Sequence, residues 1–297
     1  MEICGKDVRI SGRLIRIAHL DGEGYQFFDD PLTAIENLRD CGERVDIFTF
    51  VQRISETTAK YDFPMEWDNF AALSVTTFEH WMGKQVSSRV RGVVRKSSKE
   101  GVVTKEVPLD EPLLLGISAI YNECPIRQGR RFPHYGVDFE SLRKMKSTYL
   151  DQSIFIGAYF QDELIGFIKL VMDEARTQAG TMHILSMMRH RDKAPTNALI
   201  AQAVRSCAAR EIPILWYVKY CYGKKRDDSL AEFKRRNGFQ KVEVPRYYVP
   251  LSTVGRAALR LGLHHRMVDM VPEPIAATYR ALRTRWFARR HSSFESA

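Results

Sequence analysis

The chain lacks a C-x-x-C pair, and its five cysteines (Cys4, Cys41, Cys124, Cys207 and Cys221) are odd in number and scattered. Such spacing offers neither a disulfide framework nor a zinc site, and it fits a reducing cytosol. No uncharged apolar run approaches the roughly 18 residues of a spanning helix, so none is expected. The start, MEICGKDVRISGRL, is charged and has no apolar signal core, so export is not expected. Solenoid repeats, low-complexity runs, a Walker loop, a Ser-His-Asp constellation and metal-ligand spacing are all missing. Lysine is absent from the last 47 residues, which carry eight arginines against Asp269, Glu273 and Glu295.

What is present is a chain of 297 residues, 44% hydrophobic, which is enough for one large domain or two ordinary ones with real cores. The formal net charge is +9, and more than half of it sits in that arginine-rich end. A balance of this kind permits a polyanion, a phosphorylated cofactor or a membrane surface and does not choose among them.

The first third mixes strands with one helix. RLIRIAHL and EGYQFF are expected as a hairpin around Asp21-Gly22. PLTAIENLRDCG is expected as a helix with proline at its start and Gly42 past its end. VDIFTFVQRI is expected as a buried strand, and TTAKYDFPMEWDNFAALSV as an ordered loop or a pocket wall. TTFEHWMGKQVSSRVRGVVRKSSKEG is expected as one long basic helix ending at Gly101. From Val102 the pattern becomes regular, with Asp110 capping a helix that has Pro112 in its first turn. A loop, PIRQGRRFPHYG, precedes the helix DFESLRKMKSTYL. Two strands meet at a turn near Asp162, and a third, GTMHILSMM, leads to a helix over 196–210. A strand, a short helix ending at Gly238 and a last strand complete the order βααβββαβαβ. Leu199, Ile200, Ala203, Val204 and Cys207 form one apolar stripe on the central helix.

This order, with RHRDKAPT between strand and helix, resembles the GNAT acyltransferase fold. APTNALIAQAVRSCAAREI followed by YGKKRDDSLAEFKRRNGF is similar to the branch that holds the Fem-type peptidoglycan-bridge aminoacyltransferases and polysaccharide-pathway acetyltransferases. Phe233-Lys234 and Gly238-Phe239 match that branch's helix-end pattern, and RVRGVVRKSSKEGV its basic connector. The resemblance implies an α/β (α+β) class, with a mixed central sheet flanked by helices. Residues 85–250 would form the acyltransferase domain, entered by the connector at 85–101. Residues 1–84 would be a smaller, degenerate GNAT-like half, and 251–297 a basic helical tail. The implied activity moves an acyl group from coenzyme A, acetyl-CoA for instance, to an amine or hydroxyl of a small molecule or envelope precursor. No metal is implied. Transfer from aminoacyl-tRNA and a non-catalytic scaffold are the alternatives.

Residues for each role follow. A helix N-terminus favours an anion, and Met188, Arg189, Arg191, Lys193, Pro195, Thr196 and Asn197 stand where the resemblance places the donor's pyrophosphate. The usual glycine-rich turn is missing there, which shifts weight to side chains or to another donor. The plain alternative is a solvated basic turn. His183, inside the strand, is a candidate proton acceptor or a core histidine. Tyr222 matches the tyrosine that protonates a leaving thiolate in many GNAT enzymes. Glu123 is a candidate base or an ordinary helix-end acid. Arg127, Arg130, Arg131, His134 and Tyr135 are expected to bind an acceptor, since arginine forks suit carboxylates and phosphates. Pro274 can open a helix to about Arg290 whose arginines flank Ile275, Tyr279, Leu282 and Trp286. That stripe either docks on the domain or lies on an anionic membrane surface under a lipid-linked acceptor.

Overall fold

The computed structural model describes residues 1–127, 129–221 and 229–265. In chain order the elements are β1 (Glu2–Ile3), β2 (Lys6–Ser11), β3 (Ile17–Leu20), α1 (Pro31–Asp40), β4 (Ile47–Val51) and β5 (Met65–Ser74). Next come α2 (Phe78–His80), a π turn (Trp81–Gln85), α3 (Ser88–Lys99), β6 (Val103–Val107) and α4 (Glu111–Asn122). Then follow β7 (Ile126–Arg127), β8 (Arg130–Arg131), α5 (Phe139–Lys146), β9 (Ser153–Phe160), β10 (Glu163–Met172) and β11 (Ala179–Ser186). The last are α6 (Pro195–Ala208), β12 (Ile214–Lys219), α7 (Ser229–Arg236), β13 (Gln240–Pro250) and α8 (Thr253–Arg260).

These elements form two compact units that interleave along the chain. The first takes 1–76, 171–180 and the described residues after 206; the second takes 77–170 and 181–206. The linear cut between 1–84 and 85–250 therefore gives way to a different division. The reason is strand pairing, because β13 inserts between β4 and β5 and joins the C-terminal residues to the N-terminal ones.

In the first unit the strand order is β1-β2-β3-β4-β13-β5-β12, followed by the start of β11. Most pairs are antiparallel; β3–β4 and β11–β12 are parallel. The β11–β12 ladder covers only Ala179↔Leu215 and Gly180↔Trp216. A β-carbon on Gly180 would stand 2.4 Å from the Trp216 ring and 2.6 Å from Tyr25, so only glycine lets that indole lie against the strand. Phe48, Phe50, Tyr61 and Tyr247 stack at 5.0–5.6 Å in the core. Gly255 of α8 likewise admits the Asp46 carbonyl, which would meet a β-carbon at 1.9 Å.

Three sequence expectations are corrected here. The hairpin pairs β2 with β3, while residues 21–28 turn on themselves through bonds from Tyr25 and Gln26 N–H to the Gly22 carbonyl. The supposed loop or pocket wall contains β5, a central strand; burial on both faces removes the period-2 pattern that would have marked it. The long basic helix is broken: Val86 and Ser87 are extended, and Ser87 starts α3 by accepting from Val90 N–H at 3.3 Å. Arg91 turns back to hold the carbonyls of Gly83 and Val86.

The second unit has the strand order β6-β9-β10-β11. α4 and α5 pack a core of Leu113, Ile117, Ile120, Leu142, Phe155 and Phe167. Asp110 and Asp138 cap these helices through Leu113 and Ser141 N–H at 2.9 and 2.8 Å. The α6 stripe is fully enclosed at Leu199, Ile200, Ala203, Val204 and Cys207.

Candidate functional site

β11 delivers the chain to the turn. Met187 N–H still bonds the Ile165 carbonyl at 2.8 Å, which keeps β11 seated on β10. The next two amides leave the ladder and converge on one carboxylate: Met188 N–H donates to Glu123 Oε2 at 2.7 Å and Arg189 N–H to Glu123 Oε1 at 2.9 Å. Arg127 closes this arrangement. Its guanidinium donates to Glu123 Oε2 at 3.0 Å and to the carbonyls of Ser186 and Ile120, both at 2.8 Å. Successive amides aimed at one oxyanion form a nest for negative charge. Here the protein's own Glu123 occupies it.

The cations of the turn are distributed unequally. Arg189 pairs with Glu163 of β10, and His190 approaches the same carboxylate at 3.2 Å. Lys193 lies over the Phe160 ring at 4.4 Å and beside Asp192 at 3.5 Å. Arg191 is exposed. Ala194 takes φ +51°, the left-handed region where glycine would be at ease, and Pro195 then opens α6. Thr196 spends its hydroxyl on Ser186 Oγ at 3.0 Å, and Asn197 N–H bonds the Ala194 carbonyl at 3.1 Å.

On the expected acceptor loop, Arg127 is nearly buried and its two terminal nitrogens are engaged, so it works as an internal clamp. Arg130 and Arg131 are exposed on the β7–β8 hairpin, and Tyr135 is exposed near by. His134 stacks on Tyr121 at 4.8 Å, and His183 meets its edge at 5.7 Å. Burial first, then Lys146, His134 and Lys169, push His183 down to about 3. It is a neutral imidazole of low basicity. Burial and then Lys146 also lower His134. Tyr222 lies outside the described residues, as does the 274–290 segment.

Sequence reasoning missed the lysines that surround these histidines. Lys146 and Lys169 are both 0% exposed. Lys169 reaches the carbonyls of Lys146 (2.9 Å) and Thr148. Among the described residues Lys146 Nζ has no hydrogen-bond partner, and it faces the rings of Tyr121 and Phe167 at 5.3 and 5.1 Å. The Tyr121 and Thr181 hydroxyls are likewise buried without a partner among the described residues. Desolvation pushes Lys146 down to about 7 and Lys169 to about 8. No carboxylate pairs with either lysine among the described residues. One signal existed in the sequence: Lys169 interrupts an otherwise apolar strand, ELIGFIKLVM. A cleft of about 610 Å³ beside β6 and α4, lined by Lys105, Asp110, Leu113 and Tyr159, shares no residue with the turn or the lysine cluster.

No protein-family model matches the chain, and no curated protein matches it either. Solved structures do. The structure of L-PGS from Bacillus licheniformis matches with a TM-score of 0.58 at 12% identity, over 85% of this chain and 83% of that one. The C-terminal domain of a proposed lysylphosphatidylglycerol synthetase from Agrobacterium fabrum gives 0.53 at 13% identity, over the same 85% and 83%. FemX gives 0.46 at 11%, over 73% and 69%. At these identities the likeness is one of architecture: the chain has a GNAT-type fold.

Proposed function

We propose that the chain is an acyltransferase that moves an acyl group onto an amine or hydroxyl of an acceptor carrying an acidic group. One observation carries the reading: two successive amides and a buried guanidinium hold a carboxylate at the turn between β11 and α6. A site built to hold an oxyanion there suits a donor's phosphate or its developing acyl oxygen. Glu123 stands in for that group and must give way to the donor. The lysine cluster gives the acceptor its charge, because two enclosed lysines without an acid are stabilised by an anionic ligand. In the reaction the acceptor's nitrogen or oxygen bonds the acyl carbon, the bond to the donor's sulfur or ribose oxygen breaks, and the leaving atom takes a proton. His183, near 3, does not suit the role of base at neutral pH. Tyr222 remains the proposed acid.

The donor in the first reading is an acyl-CoA, and the chain would work in the cytoplasm. A second reading takes an aminoacyl ester of tRNA. It is supported by the glycine-free turn. The test is donor binding by calorimetry with acetyl-CoA and with charged tRNA, for the parent and for Glu123→Gln. Removing the competing charge should tighten the true donor about tenfold, near 1.4 kcal/mol. A parent and variant that bind neither donor would leave a non-catalytic scaffold as the better account.

A further inference from the structure

The first unit brings Glu66 against two adjacent histidines, His264 and His265, that lie 198 and 199 residues further along the chain. Glu66 is the second residue of β5. His264 and His265 stand in the turn that follows α8. Both imidazoles aim Nε2 at the same atom, Glu66 Oε1, each at 3.0 Å. The two rings lie 4.0 Å apart between centroids, tilted by 38°. The three donor atoms fall within 4.8 Å of one another.

We propose that Glu66, His264 and His265 form a binding site for a divalent transition-metal ion, zinc being the best fit. Neutral imidazole and carboxylate are the donors that zinc takes, and three protein ligands with a fourth position open to water is a common set. The spacing agrees. Ligands about 2.0–2.1 Å from an ion at tetrahedral angles stand about 3.3 Å apart, so the two 3.0 Å edges need to open only slightly. The charges agree as well, since an ion of +2 is offset in part by the carboxylate.

The support around the ligands sets the strength. His264 is enclosed and packs against Tyr248 at 4.6 Å, which fixes its ring. Its Nδ1 has no hydrogen-bond partner among the described residues, so no acceptor strengthens it as a ligand. Outer partners of that kind change metal affinity by about 10–100-fold. The site is therefore expected to exchange its ion, unlike a closed structural zinc site. Its effect is local: the ion ties the turn after α8 to β5, in the unit whose sheet β5 helps to form.

The metal-free full-length chain is titrated with zinc chloride by calorimetry, and with cobalt chloride for its visible absorption. One equivalent should bind, and cobalt should give the intense bands of a low-coordinate site. Glu66→Gln keeps the shape and the hydrogen bonding while removing the charge; His265→Ala alters a partly exposed ring. Each should weaken binding at least tenfold while thermal unfolding without metal stays within a few degrees of the parent. His19→Ala, on β3 and outside the cluster, should leave binding unchanged. No binding at 0.1 mM zinc would overturn the site. So would binding that both variants leave intact, which would assign the ion to other histidines.

Discussion

At the scale of the residue, Lys146 states the tension between stability and function most clearly. Its folded value near 7 lies well below the ordinary lysine value of 10.5, because burial disfavours the charge. Between those two values the unfolded chain binds more protons than the folded one. Stability must therefore rise with pH across that window and level off below about 7. Lys146→Met removes the penalty. We expect the variant to be more stable than the parent at pH 7, by about 1–3 kcal/mol, with the gain shrinking by pH 9.5. Urea unfolding at the two pH values measures it. The same variant should bind an acidic acceptor less well, and an unchanged stability with a flat pH profile would show Lys146 to be solvated. Residues that destabilise a fold and are nevertheless retained belong to sites.

At the scale of the element, the turn between β11 and α6 is where the proposed donor contacts concentrate. Arg189→Ala combined with Arg191→Ala should weaken donor binding by about 1–3 kcal/mol, the scale of lost charge-assisted bonds. Arg189 is already held by Glu163, so Arg191 alone should account for most of the loss. Calorimetry on the single variants separates them, and equal affinity in the folded double variant would remove the turn from donor binding. Elements with a local cause were legible in the sequence: Asp110, Pro112 and Asp138 announce α4 and α5, and Gly238 at φ +89° ends α7 with Phe239 N–H on the Lys234 carbonyl. The turn itself was legible as a basic knot ahead of Pro195. Its filling was not, because Glu123 reaches it from α4 across 65 residues of sequence. The lysine cluster escaped for the same reason: burial is a property of packing, and a lysine in the sequence carries no mark of it. β5 and the break before α3 were hidden by two-sided burial and by a single capping serine.

For the whole molecule, among the described residues no helix is long and apolar enough to cross a membrane. Surface attachment through the 274–290 segment remains a proposal, supported by its eight-arginine, lysine-free surroundings. Flotation with anionic vesicles at low salt tests it, comparing the full chain with one ending at His265. That end point keeps α8, whose Gly255 packs on Asp46, and every described residue of the first unit. Equal recovery of both chains in the soluble fraction would make the segment structural.

The place of β13 between β4 and β5 sets a timetable for synthesis. When β5 leaves the ribosome its partner does not yet exist, and roughly 180 residues must still be made. At about 5–20 residues per second that takes on the order of 10–35 s. Throughout that interval the buried strands β4 and β5 have unfilled edges, while the described part of the second unit is already made by residue 206. The N-terminal strands wait as clients of whatever holds nascent chains apart, and the last strand made is the one that releases them.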